Sequence, residues 1–131
     1  MRYHRLIVFF FFLASGIYAQ NSNELDLNKT YPHQVGNLYF SKGSATFTYI
    51  KNTEVWTDTI LVFNNWTEPM ELRFSGVSDC ISVKALPDVL KPKKQGMILI
   101  TYDAVKRGEV GRSMHGIFVE TNDTDTPRKR I

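Results

Sequence analysis

The sequence predicts an all-β fold, an antiparallel sandwich, and three observations lead there. From Val35 onward, short runs rich in β-branched and aromatic residues are punctuated by turn residues. Within several of those runs apolar and polar residues alternate, which is the period of a half-buried strand. Nowhere after the leader does an apolar period of 3.6 persist over a helix length, so packing sheet on sheet is the way left to bury the apolar faces.

The chain opens with Arg2, His4 and Arg5, then the unbroken apolar run Leu6 to Leu13, then small residues ending at Ala19. Charge, apolar core and small-residue site in that order predict a signal peptide over residues 1–19, helical in its apolar part. The run is far shorter than the roughly 20 residues a bilayer span needs, so the expectation is export with no span after cleavage. Residues 20–34 are polar without a sustained period and read as a linker, leaving 35–131 as one domain.

Along the domain, Leu38-Tyr39-Phe40 is a short strand closed by the turn Ser41 to Ser44. Ala45 to Ile50 resumes the strand pattern, with Phe47 and Tyr49 on one face. Val55 to Phe63 is the longest strand signal, apolar at every position from Ile60 to Phe63, as in a strand covered on both faces. After the turn cluster Asn64 to Pro69, Met70, Leu72 and Phe74 alternate with Glu71 and Arg73. Ile81, Val83 and Ala85 share a face, residues 86–95 read as a loop, and Ile98, Ile100 and Tyr102 line the next strand. A charged connection over 103–112 leads to a strand over 114–121 with Ile117 and Val119 inward, and 128–131 begins another.

Composition narrows the function classes. Arg2 and Arg5 belong to the leader, and the remaining basic residues nearly balance the 13 acidic ones. No basic excess is left to neutralise phosphates, so nucleic acid is not an expected partner. Cys80 is the only cysteine, so the domain closes no internal disulfide and rests on core packing. A single thiol in an exported protein is either buried or open to an intermolecular bond, and burial is the usual state of free cysteine.

The stretch from Ile50 to Ile131 resembles a bacterial family of exported domains known as domain of unknown function 1573. The residues involved are Ile50-Lys51, Ile60 to Asn65, Pro69, Leu90-Lys91-Pro92 with Gly96, Ile100 to Asp103 and Thr121-Asn122-Asp123. The resemblance implies an immunoglobulin-like antiparallel β-sandwich of about seven strands, the last short or incomplete, akin to hydin and major-sperm-protein domains. It implies no chemistry, because a sandwich does not fix function. The family often shows two cysteines near Ser78-Asp79-Cys80, and only the second has a counterpart here.

Candidate chemistry is sparse. His33 and His115 stand at no metal-ligand spacing from each other or from Cys80, and Asp103, Asp123 and Asp125 do not reproduce a calcium loop, so no cofactor is expected. Cys80 and His115 could meet in space as a nucleophile and base, because such pairs need not be neighbours in sequence. Asn28, Asn65 and Asn122 head glycan acceptor triplets that are equally ordinary turn sequences. Two readings follow. The first is a non-catalytic module of the cell envelope acting by protein contact or self-association. Its candidate surface is Trp56, Leu61, Phe63, Trp66, His115, Ile117 and Val119, with an open strand edge along 114–121. The second is a thiol-dependent enzyme using Cys80.

Overall fold

The structure is a computed structural model that describes residues 22–131. The leader expected over 1–19 lies outside them. The chain runs helix α1 (Ser22–Thr30), then the hairpin of β1 (His33–Val35) and β2 (Leu38–Phe40), then the long β3 (Val55–Asn64). It continues through β4 (Met70–Ser75), β5 (Ile81–Leu86), β6 (Val89–Leu90) and β7 (Gln95–Asp103). A helical turn α2 (Ala104–Arg107), β8 (Phe118–Thr121) and β9 (Lys129–Arg130) complete it. One sheet has the order β1-β2-β3-β7-β5 and the other β6-β4-β8-β9, and every pairing is antiparallel.

The all-β sandwich predicted from the alternation is therefore present, with nine strands in place of about seven. The inner faces follow the expected residues. Ile60 and Val62 of β3 face Met70 and Leu72 of β4, and Ile98 and Ile100 of β7 complete the wall, all at most 8 % exposed. The register Ile60↔Ile98 fixes which side chains meet, since a slip of one residue would turn both faces inside out. Leu38, Phe40 and Leu90 join this core from strands too short for alternation to declare them.

Four expectations are corrected. The stretch 20–34, read as a linker, contains α1 and β1. Tyr31 behind the helix is 4 % exposed and donates from its hydroxyl to Gln95 Oε1, so this segment is docked on the domain. Ala45 to Ile50 forms no ladder. Burial alternates only from Ser44 to Thr48, with Ala45 and Phe47 against the core; Tyr49, expected on the face of Phe47, is turned fully into water by its positive φ, and the segment pairs with no strand. The loop over 86–95 includes β6. The open edge expected along 114–121 does not exist at Ile117 to Val119. β8 is paired to β4 on one side and to β9 on the other, and Ile117 and Ile131 exchange backbone hydrogen bonds at 2.9 and 3.3 Å.

No helix among the described residues is long and apolar enough to cross a membrane.

Candidate functional site

The two sheets differ in length. β3 has 10 residues, about 33 Å at ~3.3 Å per residue, whereas β4 has 6 and β8 has 4. The ends of β3 and β7 that carry Trp56, Asp58, Ile100 and Tyr102 thus overhang the second sheet. Two stretches without ladders, 43–50 and 109–116, cover the overhang instead of a strand, and between them lies a half-open groove of about 880 Å³.

Its floor is apolar. Phe47 stacks on Tyr102 with centroids 5.7 Å apart, and Ile81, Ile100 and Ile117 lie around them. The rim bears three apolar side chains that water reaches almost completely: Tyr49, Val110 and Met114, the last 81 % exposed. Tyr49 adopts a positive φ of 57°, an uncommon conformation for a residue with a Cβ, and it turns the chain at the mouth of the groove. Asp103 caps α2 by accepting from the N–H groups of Val105 and Lys106, and Gly108 closes it in the left-handed region, so Arg107 is delivered to the wall. Arg107 donates to the Tyr102 hydroxyl at 3.2 Å and to the Gly111 carbonyl at 2.7 Å. The Tyr102 hydrogen bond pushes the guanidinium above its ordinary pKa. Arg112 and Arg130 also line the groove, and among the described residues Glu109 is the one acidic side chain that does.

His115 stands on this wall with a cluster behind it. Its Nδ1 lies 2.9 Å from Ser78 Oγ, and its Nε2 lies 3.1 Å from Ser113 Oγ and 3.9 Å from Cys80 Sγ. An imidazole protonated at Nδ1 donates to Ser78 and leaves Nε2 to accept from the Cys80 thiol and the Ser113 hydroxyl. The turn before β5 makes this possible, since Ile81 N–H bonds to Ser78 C=O and holds Ser78 and Cys80 on the same side. Cys80 is 8 % exposed and does not line the groove. A thiol, an imidazole and a hydroxyl in series is the order of groups that nucleophilic catalysis employs, but here the S···N separation of 3.9 Å is long for a hydrogen bond. Among the described residues no three His, Cys, Asp or Glu side chains gather as metal ligands.

The other residues proposed from the sequence are scattered. Phe63 is no free surface: Tyr31 lies 5.8 Å from its ring and Tyr39 meets it edge-on at 6.5 Å. Its neighbour on the same face, Leu61, is half-buried. Ile117 and Val119, at 4 and 2 % exposure, belong to the core, and Ile117 also lines the groove floor. Trp66 packs half-buried at the far end of β3, and Trp56 is exposed, its indole donating to Glu54 at 2.9 Å. Only His115 and Ile117 reach the groove. Tyr49, Val110, Met114, Arg112 and Arg130 were missed. The available signal was apolar residues in a connection rich in Gly and charge, as in Glu109-Val110-Gly111-Arg112.

Compared with known proteins, the chain matches no protein-family model and no curated sequence.

Proposed function

We propose that the protein is a non-catalytic exported β-sandwich module that works by protein contact at the bacterial cell envelope, in keeping with its resemblance to domain of unknown function 1573. The observation behind this reading is the groove: an apolar floor whose rim leaves Tyr49, Val110 and Met114 in water. Exposed apolar side chains gathered around a concavity, unlike singly scattered ones, favour occupation by a partner. Export follows from the leader sequence.

A second reading, thiol-dependent catalysis, has one specific observation in its favour, the 3.9 Å approach of Cys80 Sγ to His115 Nε2. Against it stands the burial of the thiol behind the groove wall.

One experiment with two arms separates them. The mature protein and its Tyr49→Glu/Met114→Glu variant are immobilised and exposed to envelope extract, while a second sample meets a thiol reagent without denaturant. The contact reading expects a component retained by the wild type and lost by the variant, with Cys80 labelled only after unfolding. Equal retention by both proteins, or rapid labelling of the native thiol, overturns it.

A further inference from the structure

Resting on that contact reading, we propose that the groove takes an extended peptide segment of a partner protein in which acidic and apolar side chains alternate.

The backbone of the walls argues for an extended occupant. Across 43–50 no N–H or C=O bonds to another described residue, and across 109–116 only the Gly111 carbonyl does, to Arg107. Backbone groups without partners beside a groove are the template on which an added strand pairs. At 44–48 burial already alternates with the period of a strand, so the segment presents one side to the core and leaves its edge open.

Side-chain chemistry sets the partner's composition. The floor of Phe47, Ile81, Ile100 and Tyr102 calls for apolar groups on one face of the incoming strand. Around it stand three guanidinium groups, Arg107, Arg112 and Arg130, against one acidic side chain among the described residues, Glu109. Arg112 and Arg130 form no ion pair among the described residues, and Arg107 hydrogen-bonds only to the neutral oxygens of Tyr102 and Gly111, with Glu109 adding a weaker attraction by charge. Guanidinium forks match carboxylates in two parallel hydrogen bonds. The occupant thus carries Glu or Asp toward the rim and branched or aromatic side chains toward the floor. A basic segment would be repelled, and a helix would leave the unpaired wall backbone unused.

The test uses the mature protein and fluorescent peptides of roughly eight residues: alternating Glu and Val, the same peptide with Lys for Glu, and all Glu. The Glu–Val peptide should bind at least about tenfold more tightly than either of the others, and less tightly as salt rises. Arg112→Glu with Arg130→Glu should weaken it by about tenfold or more. Because Arg130 belongs to β9, Arg112→Glu alone, in a stretch without a ladder, is measured beside it as the variant that keeps the fold. Equal binding of the acidic and basic peptides, or indifference to Arg112→Glu, overturns the proposal. So does a protein that fills its own groove by dimerising, seen in sedimentation as an association that Met114→Glu abolishes and Arg112→Glu leaves intact. The contact reading itself fails separately: if envelope capture survives Tyr49→Glu/Met114→Glu, the groove is not the contact surface, whatever the peptides do.

Discussion

Asp123 keeps a carboxylate at 3 % exposure, and its neighbours explain how. Asn37 Nδ2 donates to it at 2.7 Å, the Thr126 hydroxyl donates as well, and the Asp125 N–H reaches its other oxygen at 3.0 Å. Burial pushes this carboxyl up, but the bonds from Thr126, Asn37 and Asp125 together outweigh it and hold it below the ordinary carboxylate value. With the folded value below the unfolded one, the ionised form stabilises the native state. That contribution is complete above about pH 4 and is lost as pH falls through the folded value. Asp123→Asn should therefore cost about 1–3 kcal/mol at neutral pH, the usual penalty for unsatisfied buried polar groups. Urea unfolding at pH 7 and pH 3 checks it, and a gap that stays the same at both would rule out the carboxylate as its cause. Part of this was readable beforehand. Asp and Asn at the 122–126 turn announce bonds to their own backbone, and the Asp125 contact is one. Asn37, from a hairpin on the other sheet, is announced by nothing local. The same holds at Asn64, which is 0 % exposed and donates to the carbonyls of Glu68 and Leu90. A turn cluster marks the place, but not which asparagine goes inward.

At the scale of elements, alternation located β4, β5 and β7 and assigned their inner faces correctly. It missed β1 and β6, three and two residues long, which offer no second period to count, whereas the equally short β2 and β9 were marked by the turns beside them. It also failed at 45–50, where the pattern is that of a strand and the partner is missing: periodicity reports burial, not hydrogen bonding. β9 matters out of proportion to its length. Lys129 and Arg130 pair with Val119 and Phe118, and Ile131 is 8 % exposed against the same core. A chain stopped after Pro127 loses that ladder and about 1.5–3 kcal/mol of Ile131 burial, and it uncovers the edge of β8. An uncovered edge recruits other strands, so the shortened protein should show a lower urea midpoint together with concentration-dependent association by sedimentation. A shortened protein as stable and monomeric as the full chain would mean that β9 does not protect β8.

Across the whole molecule, strand order and the overhang of one sheet over the other stayed hidden, because both depend on which segments pair and for how long. The site was hidden with them. His115 could be suspected from its chemistry, but the groove exists only because 43–50 and 109–116 cover the ends of β3 and β7 where a second sheet would otherwise lie. The fold thus has two regions with different means of support. Toward Asn64, side chains from both sheets interdigitate: Ile98, 0 % exposed, packs with Val62, Met70 and Leu90 in one cluster. Toward Val55, the inner face of β7 is covered by Phe47 and its irregular segment, which adds no ladder to what it covers. A cavity in the first region must be borne by the cooperative core, whereas one in the second can be relieved by local opening. Ile98→Ala should therefore lower global stability by about 2–5 kcal/mol, the range for truncating a core isoleucine, while leaving native-state cleavage in 43–50 nearly unchanged. Phe47→Ala should do the reverse, with a smaller global loss and a clear increase in proteolysis and amide exchange across 43–50. Urea titration and limited proteolysis of both variants decide the matter. If Phe47→Ala proves the more destabilising of the two, the covering segment is part of the cooperative core and the two-region account is wrong.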